Sequence, residues 1–289
     1  MKSRFEFRRR LTPLVWVLLL SLGVGVVRAQ QPPAPATGPQ APKTPPTTQP
    51  KSIPKAPKSK PKAPELTARQ LLAKVVEVSG GDKLKALKSL RWEAVESRVI
   101  NEFKLDRTIL GRARFPEHMR IEVSFRDPNT RVDRTLVFAL NGNNGWTKNG
   151  EQTSVWPPAQ VNQQRGSLLC STTPLLQVAD QLQVKMLDKS ILGATDYHRI
   201  EVRRDKLEPV ILWIHPKDFT IRRRQSKTMR NGQAVQHEEQ LWDYRPVDGL
   251  LLPYSRKIFE NGRETALFSI NRYMLNEEYG DDIFAKPSP

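Results

Sequence analysis

The chain has 289 residues, a formal net charge of +17 and one cysteine. The charge suggests a nucleic-acid partner, but more than half of the excess lies before residue 65, and the remainder mixes acidic and basic side chains. We therefore expect no nucleic-acid partner. A single cysteine excludes an internal disulfide, so stability must come from a buried core.

Residues 1–29 have the layout of a secretory signal peptide. Basic residues precede an apolar run from Leu11 to Val27, and Ala29 ends a small-residue cleavage pattern. The run is interrupted by Pro13 and is shorter than the ~20 apolar residues of a spanning helix. The pattern predicts export from the cytoplasm. An uncleaved inner-membrane anchor is the alternative.

Residues 30–64 have the composition of an extended tether. They contain twelve prolines and six lysines and almost no side chain that could enter a core. Such a composition is typical of a disordered, polyproline-rich segment. It is either a passive spacer or a segment whose lysines contact an anionic surface. Residues 65–289 then form the folded domain.

A helix is predicted at the start of this domain. Thr67 and Gln70 have capping-box spacing, an apolar stripe follows to Val78, and Gly80-Gly81 ends it. Asp82 is expected to cap a second short helix.

The rest of the domain is predicted to consist mainly of β-hairpins. Six Asn-Gly or Asp-Gly dipeptides separate stretches of alternating polar and apolar residues, the strongest short-range hairpin signal. They begin at Asn141, Asn144, Asn149, Asn231, Asp248 and Asn261. About eleven strands are predicted, near residues 92–100, 103–113, 117–126, 134–140, 184–191, 197–204, 209–215, 219–229, 234–244, 251–260 and 264–275.

A helical insertion interrupts the strands between residues 157 and 182. Thr173 is expected to cap a helix with Pro174 in its first turn. Leu175, Val178 and Leu182 share one face of this helix. They are predicted to form a lid on the sheet.

No catalytic or metal motif is present in the sequence. The four histidines are scattered without ligand spacing, and Cys170 has no histidine or second cysteine near it at motif spacing. We expect no enzyme activity, no metal and no cofactor.

Several strands carry an apolar face that needs a cover in water. A sheet of this size must curl around a filled core, a ligand cavity or a covering helix. The predicted lining of an apolar ligand cavity is Met119, Ile121, Val123, Phe125, Leu136, Phe138, Leu140, Val210, Leu212 and Ile214.

Four blocks resemble the outer-membrane lipoprotein carrier and sorting proteins, the LolA-like superfamily. Leu140 to Trp146 resembles their "DGxxGW" strand-turn-strand, with Asn141 in place of the aspartate. Asp243 to Tyr254 resembles their "DYRxVDGLLLP" block. Residues 72–90 and 276–287 match the opening and closing blocks, so the resemblance covers nearly the whole domain.

The resemblance implies an incomplete antiparallel β-barrel, lidded by helices, that holds acyl chains of a lipid or lipoprotein in the periplasm. Such a protein would take part in sorting or transport to the outer membrane and would meet a membrane-bound donor or acceptor protein. The alternative is a non-catalytic structural, interaction or sensor module of the envelope whose barrel is plugged by helices.

Overall fold

The structure of the chain is a computed structural model that describes residues 66–100, 103–128, 130–230 and 233–288. The predicted signal peptide and tether lie outside these residues.

The fold is a single antiparallel sheet of thirteen strands with helices on one side. The order is β6-β5-β4-β3-β2-β1-β13-β12-β11-β10-β9-β8-β7, so every neighbour except the pair β1 and β13 is consecutive in the chain. The edge strands β6 and β7 do not pair with each other, and the sheet is therefore unclosed. The predicted fold class, mainly β with an incomplete antiparallel barrel and covering helices, is confirmed.

The strands have the following bounds: β1 Ser89–Ile100, β2 Phe103–Arg114, β3 His118–Arg126, β4 Asp133–Asn141, β5 Asn144–Asn149, β6 Gln152–Val155, β7 Gln183–Leu192, β8 Thr195–Arg203, β9 Val210–Ile214, β10 Ile221–Arg230, β11 Gln233–Val247, β12 Leu250–Glu260 and β13 Arg263–Leu275. The helices are α1 Ala68–Val78, α2 Asp82–Lys85, α3 Pro158–Leu169 and α4 Thr172–Gln177, with 3₁₀ turns at Ala179–Gln181 and Asp281–Ile283.

The number of strands differs from the predicted eleven because β5 and β6 were not among them. These strands have only six and four residues, and six of these ten are Asn, Gly, Lys, Gln or Ser. Their pairing with β4 and with each other, rather than their own propensity, makes them strands.

The Asn-Gly and Asp-Gly dipeptides play three different roles. Asp248-Gly249 and Asn261-Gly262 have positive φ at both residues, as type I′ hairpins require. The dipeptides that begin at Asn141 and Asn149 instead place their glycine first in a two-residue loop. The prediction of a turn at Asn144 is wrong because this residue and Gly145 lie inside β5, and the dipeptide at 231 lies outside the described residues.

The first helix begins and ends close to the predicted residues, and the helices after it differ from the prediction. The Thr67 capping box is present, with the Gln70 side chain bonded back to the Thr67 backbone. Asp82 is the first residue of α2 rather than its cap, because Gly81 precedes it with φ 55°. The predicted helix 174–182 is broken: α4 follows Ser171 and ends at Gln177, and a separate 3₁₀ turn follows Val178.

The two faces of the sheet have different surroundings. The concave face packs against the helices and carries most of the buried apolar side chains. On the opposite face, the Trp213 ring lies between the guanidinium groups of Arg199 and Arg223, at 4.8 and 4.6 Å. Leu212 and Ile214, its neighbours in β9, point to the core, as the period-2 pattern predicts.

Two glycines on the concave face allow tryptophan rings to lie directly on a neighbouring strand. A Cβ added at Gly111 would lie 2.0 Å from the Trp92 ring, and one at Gly145 would lie 2.0 Å from the Trp156 ring. Each glycine thus makes room for a large ring, which fills space that several smaller side chains would otherwise have to fill.

We expect Gly111→Ala to lower the free energy of unfolding by ~1 to 3 kcal/mol, because the Trp92 ring must move out of its place. Urea denaturation measures this loss. Gly166→Ala in α3 is the control, since its Cβ would meet only Leu207 at 3.5 Å. Combining Gly111→Ala with Trp92→Leu should cost less than the sum of the single changes, and strict additivity would contradict the proposed clash.

Candidate functional site

The predicted cavity residues divide between two apolar clusters on the concave face. Val210, Leu212 and Ile214 belong to the first cluster, where β7–β12 pack against α1, α2 and α4. The other seven belong to or pack against the second cluster, formed by β1–β4, β12, β13 and α3: Met119, Ile121, Val123, Phe125, Leu136, Phe138 and Leu140. The structure therefore brings the predicted residues together as two groups rather than as one lining.

The predicted lining is packed. Nine of its ten side chains are only 0 to 7% exposed, and Phe125 alone is partly exposed. A side chain that faced a roomy internal cavity would keep more accessible surface than this. Other protein atoms therefore occupy the concave face in this structure.

Two different segments cover the two clusters. Leu175 and Leu182 of the predicted lid are buried in the first cluster, and Val178 packs against its edge. Arg69 of α1 holds this segment by donating to the carbonyl oxygens of Ala179 and Leu182, at 2.8 and 2.5 Å. The lid residues therefore do not lie over the Met119 group.

The second cluster is covered by α3, which the sequence analysis did not predict as a separate helix. Its buried side chains are Val161, Gln164 and Leu168. Their spacing is helical, but the polar Gln164 in the middle of the stripe leaves only two apolar positions. The prolines at 157 and 158 were the available signal for a helix start.

Polar side chains tie α3 to opposite parts of the sheet. Arg165 donates to the carbonyl oxygen of Gly142, at 2.7 Å, in the turn between β4 and β5. Gln163 donates to the carbonyl oxygen of Met229, at 2.7 Å, in β10. Since β4 and β10 are seven positions apart in the sheet, α3 bridges the concave side.

A third hydrogen bond connects Cys170, the residue after α3, to the interior face of the sheet. Arg224 of β10 donates to the Cys170 carbonyl oxygen at 2.9 Å and to Glu239 at 3.1 Å. Burial alone would raise the pKa of Glu239, but the Arg224 guanidinium and His237 hold it well below its ordinary value. The covering segment is thus bound to a buried ion pair.

Buried charge also occupies the concave face beside the second cluster. Glu96 is 1% exposed and accepts hydrogen bonds from Arg98, at 2.8 Å, and from the Nε and Nη2 of Arg107. Both guanidinium groups are themselves buried. Sequence reasoning missed this group, although charged residues at inward positions of an alternating strand were the available signal.

Two cavities lie away from the predicted site. One, of about 260 Å³, lies between α1, α2 and the 3₁₀ turn at 179–181. The other, of about 330 Å³, lies on the convex side of β3–β5 beside Trp146 and Pro287. None of the predicted cavity or lid residues lines either one.

No group of three or more histidine, cysteine, aspartate or glutamate side chains is placed to hold a metal among residues 66–100, 103–128, 130–230 and 233–288. Within these same ranges, every helix is too short or too polar to cross a membrane.

Comparison with known proteins identifies the fold. No protein-family model matches the sequence, and no curated protein matches it. The structure is similar to the crystal structure of a LolA superfamily protein from Nitrosomonas europaea, with 13% sequence identity, 77% of this chain and 99% of that chain covered, and a TM-score of 0.51. It is also similar to a DUF1329 family protein from Desulfovibrio piger, with 10% identity, 76% and 97% coverage, and a TM-score of 0.51.

The domain therefore has a LolA-like fold, and the predicted resemblance is confirmed at the level of the fold. The unclosed sheet, the helices on its concave side and the pairing of first and last strands are its defining features in this chain.

We expect Glu239→Gln to lower the melting temperature at neutral pH, because the change removes the charged partner of buried Arg224. The folded-state pKa of Glu239 is depressed, so its contribution is fully present above the unfolded pKa of about 4.3 and is lost as pH falls further. The difference from the wild type should therefore shrink below about pH 4.

Melting curves between pH 3 and 8 measure this dependence. Glu93→Gln serves as the control, since Glu93 forms a more exposed ion pair with Arg91. A difference that stays constant over the whole pH range would show that the Glu239 charge does not stabilise the covering segment.

Proposed function

We propose that this chain is an exported, non-catalytic binding protein that holds acyl chains of a lipid or lipoprotein against the concave face of its half-barrel. The apolar second cluster beneath α3 carries this proposal. A long apolar face under a single, polar-anchored helix fits a ligand of acyl chains better than a polar substrate. The proposed binding residues are the predicted lining around Met119, with α3 and α4 as two covers.

The free energies are compatible with displacement of α3 by a ligand. The two buried apolar side chains of α3 and the three polar contacts of α3 and Cys170 with the sheet stabilise the packed position of this helix by about 5 to 10 kcal/mol. A chain of about sixteen carbons gains ~12 kcal/mol on burial at ~0.8 kcal/mol per CH₂. Burial of one acyl chain therefore suffices to open the cover.

The cellular setting of the proposal rests on the sequence. The signal peptide at 1–29 directs the chain to the periplasm, and the tether at 30–64 gives the domain reach toward a membrane-bound donor or acceptor protein. Sorting or transport of lipoproteins to the outer membrane is the role we propose for the domain at 65–289.

The second candidate is an envelope interaction or sensor module whose barrel stays closed. The low exposure of nine of the ten predicted lining residues favours it. Native mass spectrometry of the purified protein separates the two functions. Co-purified lipid, or uptake of an added fluorescent fatty acid, supports the carrier, and a protein that takes up neither is a closed module.

We expect Arg165→Ala to accelerate uptake of a fluorescent fatty-acid probe several-fold, because the tie between α3 and the β4–β5 turn is lost. Stopped-flow fluorescence measures the association rate. Arg112→Ala is the matched control: Arg112 has a similar exposure but pairs with Glu122 at 2.6 Å on the convex face. Equal rates for wild type and Arg165→Ala would mean that α3 is not the gate.

We expect limited proteolysis to cleave rapidly between residues 30 and 64 and to leave a resistant core that begins near Glu65. Mass spectrometry of the fragments locates the sites. The core should bind the same probe as the full chain, because Ile53 is the only large apolar side chain of the tether. Slow cleavage, or loss of binding in the core, would assign the tether a place in the domain.

A further inference from the structure

Along β1 and β2 the concave face changes from apolar to charged. On β1 the inward residues run from Trp92 and Ala94 to Glu96 and Arg98. On β2, Ile109 lies opposite Ala94, and Arg107 lies opposite Glu96. Ala94 and Ile109 belong to the second apolar cluster. On these two strands the charged side chains begin directly after Ala94 and Ile109, while on β13 Phe268 and Ala266 continue the apolar cluster beside them.

The charged group continues across neighbouring strands. Glu96 lies opposite Phe268 of β13, and Phe268 lies opposite Arg256 of β12, whose guanidinium stacks on the Phe268 ring at 4.1 Å. Strands β10, β11 and β12 contribute further charged residues, buried or largely buried, on the same face. This charged belt consists of Glu96, Arg98, Arg107, Arg224, Glu239, Arg256 and Glu260, with His237 beside them.

The charged belt carries an excess of positive charge. It contains four guanidinium groups and three carboxylates. Arg107 is 6% exposed, yet its Nη1 is buried and has no hydrogen-bond partner among the described residues, and the same holds for the Nε of Arg256. A buried donor on a charged group costs free energy unless an acceptor completes it.

We propose that the charged belt binds the oxyanion of an amphiphilic ligand, a carboxylate or phosphate group, while the acyl chain of that ligand lies along the second apolar cluster. This inference rests on the proposed lipid-binding function and specifies its ligand class: acidic lipids rather than neutral ones. One anionic oxygen accepts from Arg107 Nη1, and its charge offsets the excess of the belt. Glu96, which also accepts from Arg98, holds the Arg107 guanidinium in orientation.

The arrangement also explains why a guanidinium rather than an ammonium occupies position 107. Nε and Nη2 of Arg107 bind one carboxylate, Glu96, and the planar group then directs Nη1 elsewhere at a fixed angle. A lysine at this position would satisfy Glu96 but would present no second donor of defined direction.

The test compares hexadecanoic acid with its methyl ester at pH 7.5, by displacement of a fluorescent acyl probe from the full-length protein. The acid should bind at least about tenfold more tightly, the difference that a charge-assisted hydrogen bond provides. Arg107→Gln and Arg107→Lys should reduce this preference to about twofold or less, while the affinity for the ester stays within threefold of wild type.

Arg112→Gln is the matched control, because Arg112 lies on the same strand and also pairs with a glutamate, but on the convex face. It should keep the full preference. If Arg107→Gln does not fold, the comparison of acid and ester on the wild type and on Arg107→Lys still decides the question.

Four results would overturn the assignment. Equal binding of acid and ester by the wild type would remove the oxyanion site but keep the lipid-binding function. Full preference for the acid in folded Arg107→Gln would place the oxyanion elsewhere. Inorganic phosphate that binds as tightly as the acid and competes with it would make the ligand a free anion rather than a lipid. Binding of neither acid nor ester would overturn the proposed function itself.

Discussion

The constraint on which this structure depends is the exposure of one apolar face by an unclosed sheet. Thirteen antiparallel strands curl but do not join at β6 and β7, so the barrel cannot seal its own interior. A face of this size is unstable in water and must be covered by other parts of the chain. The helices at the start of the domain and in the insertion between β6 and β7 provide that cover. Because they are joined to the sheet by side chains rather than by a strand ladder, their attachment is weaker than the sheet itself.

The two covers differ in the strength of their attachment. The first cluster combines α1, α2 and α4, which bury a continuous set of leucines and valines and are joined to one another by Arg69 and by Gln177. The second cluster is covered by α3 alone, with two apolar side chains and a buried glutamine. Opening of the first cluster would expose far more apolar surface than opening of the second. If one part of the barrel admits a ligand, the physical argument selects the side under α3.

The sequence predicted what depends on local chemistry. The Thr67 capping box, the type I′ turns at Asp248 and Asn261, and the alternation from Met119 to Phe125 each act within a few residues and were recognisable. The short strand β6, the break at Val178 and the division of the lining into two clusters depend on distant partners, and the sequence did not indicate them. The charged residues Glu96 and Arg107 of the charged belt stand at inward positions of alternating strands and could be recognised in the sequence. The significance of the charged belt depends on which residues meet across the sheet, and a linear pattern does not contain that information.

The charged belt also distinguishes between two views of the closed barrel. In a barrel that is only a plugged core, buried ion pairs give little net stability, and apolar residues of similar volume at these positions are often equally or more stable. Two arginines of the charged belt also have a buried nitrogen without a partner among the described residues, a cost that Arg199 and Arg223 of the opposite face share. A purely structural core has no need of such an arrangement. An interior that binds an amphiphile needs such charged groups, because the head group of the ligand loses its water beside the acyl chain. Preorganised donors at the boundary between apolar and charged surface then replace that water. The position of Arg107 next to Ile109 fulfils that requirement.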